Sequence, residues 1–419
     1  MKKLILIIII IFFNGCGNNN NNEDQTINKA VMGTPIDCGY KFYTKNGNTK
    51  WFNGVKFLLG VNPNEYNNIA KFSYEGFKKV IDFSSSKKYF SIWFTRDWFE
   101  NNAPAQWYPK QDIQEAMKTK IPLFIFYYFK DNMTKMPSTK EIEDYYNAAK
   151  TFSDFISSFK GKKIIVLQPE FNKNFIVHDE NNSATMANIF AHAIDIIKAK
   201  NPEALFTLCM MDTGVRNAKE HLQKCGFSNC ALGDSDEWEK SDNVYKHLVD
   251  KLDFISFQEM VSQFSRDPSN PGTLNNPNLI SYSNKEIGID YLSKRVENLT
   301  EFLHKKYNKP VILVYIGIAS GTWHDLNNNS ILEYDEFNPN GWNNKIDRFY
   351  KEMKEKETEL YKKGLRIYIP MQLIDDPRHD IYGWQFFNIN EYHLGLVSTS
   401  AKDEEEALYG DLKFKINIK

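Results

Sequence analysis

Short apolar runs alternate with helix-period segments along most of this 419-residue chain, and that alternation restricts its fold more than any other feature. The runs are Lys56–Val61, Tyr89–Phe94, Leu123–Tyr128, Lys163–Gln168, Ala204–Met210, Phe254–Gln258, Val311–Ile316 and Arg366–Leu373. They are rich in β-branched and aromatic residues, the composition of strands. Between them lie the helical stretches Tyr74–Phe83, Lys110–Lys118, Lys140–Phe159, Thr185–Lys200, a broken region Asn217–Leu252, Glu286–Tyr307 and Asn343–Lys363. Repeated strand–helix units build a parallel sheet, and eight of them close a barrel. Runs such as Ile164-Ile165-Val166-Leu167 are apolar throughout, as strands covered on both faces are. The competing architecture, an open doubly wound sheet, carries a glycine-rich phosphate loop after its first strand, where this chain has Gly60-Val61-Asn62-Pro63. The expectation is an α/β fold: one (βα)8 TIM barrel over residues 41–419, with no boundary for a second domain.

The residues ahead of the barrel read as an address and a tether. Lys2 and Lys3 precede an apolar run, Leu4 to Phe13, shorter than the roughly 20 residues of a membrane-spanning helix. Asn14-Gly15-Cys16 follows, and a small residue before Cys at this place resembles a bacterial lipobox. Residues 1–15 are therefore expected to be a lipoprotein signal peptide, with Cys16 acylated (palmitate among its chains) as the new first residue. The alternative is an ordinary signal peptide with a chance Cys. Lipidation predicts the bacterial cell envelope, at the inner or outer membrane or exposed on the surface. Residues 16–40, with their run Asn18 to Asn22, are expected to be the lipidated Cys and a flexible tether. Of the remaining cysteines, Cys225 and Cys230 are close enough in sequence to close a small loop, and Cys209 reads as a buried thiol.

Lys and Arg total 52 against 53 Asp and Glu, which argues against a nucleic-acid partner, since such proteins show a basic excess. The aromatic share of 15% suits either a sugar-binding cleft or an aromatic core. Chemistry in a (βα)8 barrel sits at the C-terminal ends of the strands. There the sequence places Asp97, Trp98 and Trp107 after the second strand, Glu170 and Asn172 after the fourth, Asp212 after the fifth and Glu259 on the sixth. Tyr315 ends the seventh, with Trp323 beyond, and Asp375, Asp376 and His379 follow the eighth. Carboxylates interleaved with Trp, Tyr and amides suit a glycan. Aromatic faces stack on sugar C–H surfaces, carboxylates bind hydroxyls, and a pair of carboxylates cleaves the glycosidic bond. A phosphate site would want Lys, Arg and backbone nests instead. A Gly-x-Ser-x-Gly elbow and a His-Glu-x-x-His pair are both absent from the sequence.

Leu167-Gln168-Pro169-Glu170-Phe171-Asn172 resembles the end of strand four in clan A glycoside hydrolases, especially the mannanase-type family 26. Lys309-Pro310-Val311-Ile312-Leu313 with Gly317-Ile318-Ala319-Ser320 resembles their strand seven. The resemblance implies a glycoside hydrolase with Glu170 as acid/base and no required cofactor; with the lipobox-like N-terminus, the expectation is a membrane-anchored enzyme acting on an extracytoplasmic polysaccharide or glycan. It stops at strand seven, where those enzymes carry a nucleophilic Glu and this chain has Val314-Tyr315-Ile316-Gly317. Three alternatives follow. A different carboxylate partners Glu170: first Glu259, two strands away at about 4.8 Å per strand, then Asp375 or Asp376 across the barrel, then Asp212. Tyr315 is itself the nucleophile, as in sialidases. Or the barrel binds glycans without cutting them. A proton-donating Glu170 wants desolvation, which Phe171 and neighbouring aromatics are expected to supply. Asp97, Trp98, Trp107, Asn172, Tyr315, Trp323 and Asp376 are the expected substrate contacts.

Residues 325–336 match the twelve positions of an EF-hand calcium loop. Asp325, Asn327, Asn329, Ile331 (through its carbonyl), Glu333 and Glu336 fall on the ligand positions. Ser330 replaces the usual turn glycine, so a weak Ca2+ site is the expectation, against an Asn-rich surface loop as the alternative.

Overall fold

The computed structural model describes residues 28–34, 36–37, 41–43, 49–51, 88–96, 110–129, 133–211, 238–266, 279–281, 289–324, 326–328, 336–371, 393–399 and 412–417. Eight parallel strands form a barrel: β1 (Val31–Met32 and Ile36–Asp37), β2 (Tyr89–Thr95), β3 (Ile121–Tyr127), β4 (Lys163–Pro169), β5 (Ala204–Met210), β6 (Ile255–Val261), β7 (Val311–Ile318) and β8 (Leu365–Pro370). Each strand from β2 to β8 pairs with the next in sequence. The two halves of β1 close the ring. Val31 lies opposite Ile367 of β8, and Ile36 lies opposite Ser91 of β2. The switch falls at Gly33 and Thr34, whose amides donate to the Tyr368 and Tyr89 carbonyls, each at 2.9 Å. A Cβ on Gly33 would stand 2.9 Å from Ile369 Cγ1, so glycine permits this close passage.

The first strand thus lies ahead of the expected one. Lys56–Val61 falls outside the described residues, and Val31–Met32 and Ile36–Asp37, expected in the tether, are barrel wall. A segment holding Gly33 and Pro35 reads as a breaker in isolation. It is a strand because pairing with β8 and β2 overrides local propensity. The other seven strands cover the expected runs, with ends shifted by a few residues.

The barrel has an inner and an outer shell. Leu123, Ile125, Ile164, Val166, Cys209, Ile312, Val314, Ile367 and Ile369 fill the inside. Cys209 carries a reduced thiol, buried there as expected. The outer shell packs the strands against α1 (Lys110–Ala116), α2 (Thr139–Ser157), α3 (Glu180–Lys200), α4 (Leu292–Tyr307), α5 (Asn343–Glu355) and α6 (Glu357–Lys362). α2 begins with a capping box: the Glu141 amide donates to Ser138 Oγ, and the Ser138 amide donates to Glu141 Oε2 at 2.8 Å. Its buried stripe, Tyr145, Ala148, Ala149, Phe152, Phe155 and Ile156, has helical spacing. Phe152 meets Phe94 of β2 and Phe126 of β3, both at 5.1 Å between ring centroids. Full burial of such a ring is worth roughly 1.5–3 kcal/mol, and it fixes the two strands whose ends flank the rim.

Candidate active site

Glu170 follows β4 directly, on the C-terminal face of the barrel. Its φ of 57° is left-handed, a conformation that costs a side-chain-bearing residue about 1–2 kcal/mol. Its amide still bonds the Cys209 carbonyl at 2.9 Å, so the turn stays attached to β5. The turn aims the carboxylate across the barrel mouth, where four donors meet it. Tyr127 Oη at the end of β3 donates to Oε2 at 3.2 Å, and Lys173 Nζ reaches the same oxygen at 3.1 Å. Gln258 Nε2 on β6 donates to Oε1 at 3.0 Å, and Tyr315 Oη on β7 donates to it at 3.2 Å. The Glu170 side chain is still 15% exposed. Trp93 of β2 packs on both tyrosines, with centroids at 5.6 Å from Tyr127 and 5.5 Å from Tyr315. On the β2–β3 side, Arg96, Phe129, Met133, Lys135 and Met136 line a cavity of about 180 Å³.

Two buried amides set Glu170 in place. Gln168 Nε2 donates to the carbonyls of Phe129 at 2.6 Å and Pro169 at 3.0 Å, and its Oε1 accepts from the Phe129 amide at 3.3 Å. Asn172 Oδ1 accepts from the Met211 amide at 2.7 Å, and its Nδ2 donates to the Met211 carbonyl at 3.4 Å. The segment around Glu170 is thereby fastened to the end of β3 on one side and of β5 on the other. Asn172 was expected to touch substrate. Its amide is instead committed to the backbone of Met211, and it belongs to the framework.

Tyr315 reaches the site through an irregularity. Between Leu313 and Tyr315, β7 advances two residues while β6 advances one, from Phe257 to Gln258. The extra residue is a bulge, which re-aims a side chain. Val314 and Tyr315, though consecutive, both join the inner cluster. Gln258, Tyr127 and Lys173 are site groups that sequence reasoning passed over; of these, Gln258 had a signal of its own. Its signal was its place at the end of the sixth apolar run.

Glu259 corrects the first choice of catalytic partner. Side chains alternate across a strand, so with Gln258 turned inward Glu259 turns outward. Its carboxylate accepts from Arg295 Nε of α4 at 2.8 and 3.0 Å, both groups are buried, and the guanidinium lies 5.7 Å from the Trp238 ring. Glu259 therefore fastens α4 to β6. Phe171 is a second correction: it packs in the outer shell against Tyr245, at 5.2 Å between centroids, and does not shield Glu170. Among the described residues, Tyr127 and Tyr315 are the aromatic side chains that meet Glu170, with Trp93 packed on both. Among the described residues, two hydroxyls, an amide and an ammonium donate to the Glu170 carboxylate.

Trp323 stands in a short strand that pairs with Phe337–Asn338 beyond β7. In the twelve-residue loop, Glu336 is buried, and its Oε1 accepts from the amides of Leu326 at 2.7 Å and Asn327 at 3.4 Å. The last ligand position is thus folded back onto the loop's start. Cys16, Asp97, Trp98, Trp107, Asp212, Asp325, Asn329, Ile331, Glu333, Asp375, Asp376 and His379 lie outside the described residues.

This architecture is a (βα)8 barrel with a polar, donor-ringed carboxylate at its C-terminal mouth. Among solved structures, a β-glucosidase from Thermotoga maritima in complex with castanospermine is similar to it. That match has a TM-score of 0.51 and 10% identity, over 89% of this chain and 94% of that one. The same enzyme in complex with glucoimidazole gives a TM-score of 0.50 and 9% identity, over 89% and 93%. A β-glucuronidase from an uncultured Clostridium sp. aligns over 88% of this chain with a TM-score of 0.47 and 9% identity, and the chain spans 47% of its length. At these identities the likeness to the β-glucosidase is one of fold. No family model and no curated protein sequence matches the chain.

Proposed function

We propose that the protein is a glycoside hydrolase acting on O-glycosidic bonds of a polysaccharide or glycan outside the cytoplasm, with Glu170 as its acid/base carboxylate. The observation that carries this reading is the ring of donors from β3, β6 and β7 around Glu170, built at the place where barrels of this kind do chemistry. Placed among these donors, Glu170 in its ionised form would take a proton from an attacking water. The proton for the leaving oxygen then comes from a second carboxylate. Neither β6 nor β7 supplies one opposite Glu170, so the candidates are Asp375 or Asp376 after β8 and Asp212 after β5. A carboxylate across the barrel leaves room for a water and suits inversion. The glycosidase neighbours support this reading through their common barrel.

The test is reducing-sugar release from β-mannans, β-glucans, xylans and host glycans, with Glu170→Gln as control. The expected result is release by the wild type and none by the variant, with sugar binding retained. Undiminished release by Glu170→Gln removes Glu170 from the mechanism. A second reading, a glycan-binding barrel without turnover, is favoured by one observation: β7 presents Tyr315 where the resembled family carries its nucleophile. Binding without release establishes that reading. We also propose export with anchorage at Cys16, tested by metabolic acyl labelling of wild type and Cys16→Ser. A weak Ca2+ site in the loop 325–336 is tested by calorimetric titration, where silence at millimolar calcium rejects it.

A further inference from the structure

We propose that Gln258 is a sugar-binding residue, and that its Oε1 receives a hydroxyl of the ring bound beside Glu170. This rests on the glycan reading of the site. Gln258 is 2% exposed, and among the described residues its Oε1 has no hydrogen-bond partner. Its orientation is set by Glu170: Nε2 donates to Oε1 of the carboxylate at 3.0 Å, and the opposite orientation would press two oxygens together. The free acceptor is therefore held next to the carboxylate. A buried acceptor without a donor is uncommon in native proteins and wants a stated reason. The other groups around the carboxylate, the Tyr127 and Tyr315 hydroxyls and the Lys173 ammonium, already donate to Glu170. The missing partner is a donor that arrives with the ligand.

The chemistry of the acceptor selects the ligand. An amide oxygen accepts and does not donate, so it welcomes a neutral O–H or N–H and repels a carboxylate or sulfate oxygen. A ring hydroxyl near the scissile bond meets that requirement. Gln258 then touches both the acid/base carboxylate and the substrate, so it couples recognition of one hydroxyl to the placement of Glu170. At the ring position it contacts, the site accepts a hydroxyl and rejects an acidic substituent.

The experiment uses the full chain and titrates binding of 4-nitrophenyl β-glucoside, β-galactoside and β-mannoside, each beside its monodeoxy analogues. The wild type is expected to lose about tenfold in affinity when one particular hydroxyl is removed, the loss of one good hydrogen bond. In Gln258→Met the same removal is expected to change affinity less than threefold, while the other deoxy positions behave as in wild type. If no single hydroxyl matters more than threefold to the wild type, the proposal falls without recourse to any variant. It falls equally if Gln258→Met keeps the same discrimination. If the wild type neither binds nor cleaves any glycoside in this panel or in the polysaccharide assay, the glycan reading fails and takes this inference with it.

Discussion

The positioning of Glu170 by Gln168 can be tested with Gln168→Leu. Leucine keeps nearly the volume of glutamine, so the change leaves little cavity. It removes both polar ends of the side chain, and the amide and carbonyl of Phe129 lose their partners. Phe129 is itself buried, so water replaces them poorly. Two such orphans cost about 2–6 kcal/mol, and the buried leucine offsets about 1–2 kcal/mol, leaving a loss centred on about 2.5 kcal/mol within a span of about 0–5 kcal/mol. Urea denaturation measures this as a lower midpoint at unchanged slope. Because Glu170 lies two residues on, its carboxylate moves as well. A misplacement of about 1 Å costs roughly 100-fold in rate, so kcat per folded molecule is expected to fall about 10- to 100-fold with KM nearly constant. An unchanged midpoint refutes the clamp. A lower midpoint with unchanged kcat shows that the side-chain ring alone holds the carboxylate.

Other consequences follow from the same geometry. Tyr315→Phe removes the hydrogen bond to the Glu170 carboxylate, worth about 1.5–3 kcal/mol, and is expected to lower the urea midpoint and to lower kcat/KM about 10- to 150-fold; a change in kcat/KM under threefold in steady-state kinetics sinks the assignment. Glu259→Met leaves Arg295 buried without its carboxylate and is expected to cost about 3–5 kcal/mol in denaturation. Turnover per folded molecule should persist, and its loss would return Glu259 to the mechanism. Glu297 is one of the acid-sensitive groups. Burial raises its carboxyl, but hydrogen bonds from Lys363 and Lys294 outweigh burial and hold it below the usual range. A lowered folded value contributes stability above the ordinary glutamate range, about 4.3, and loses it as pH falls through the folded value. The wild type should therefore lose urea resistance on acidification more steeply than Glu297→Gln, and parallel pH profiles reject this.

Seven of the eight strands were legible because a strand buried on both faces is near-continuously apolar, as in Ile164-Ile165-Val166-Leu167 of β4 and along Val311–Ile318. The position of Glu170 was legible because it follows such a run at the C-terminal end of a strand. What sequence could not show was the direction of single side chains. Glu259 and Gln258 are adjacent in a strand, and nothing in the run says which one faces inward. A one-residue shift exchanges the faces, and here the shift turns the amide toward Glu170 and the carboxylate toward Arg295. The bulge before Tyr315 is likewise a matter of register between β6 and β7. Asn172 was misassigned because a buried amide and a substrate-binding amide look alike until their partners are known.

The missed first strand has the widest consequence, because the donors around Glu170 depend on barrel closure. Tyr127 stands one strand beyond β2, Tyr315 one strand before β8, and β1 joins β2 to β8. Without β1 the ring opens between the walls that carry these two donors. Ala30 and Met32 are buried, and Gly33 and Thr34 each give a backbone hydrogen bond to a neighbouring strand. Burial of the methionine at roughly 1.5–3 kcal/mol and two bonds at roughly 0.5–1.5 kcal/mol each put the loss at about 3–6 kcal/mol. A chain beginning at Asn28 keeps β1 and is expected to bind glycan as the full chain does. A chain beginning at Cys38 lacks β1 and is expected to lose most of its stability and its binding together. Equal binding by both would mean that the segment before residue 38 acts as a tether, and that the carboxylate ring assembles without closure. The reading of β1 as barrel wall therefore stands or falls on ten residues at one end of the domain.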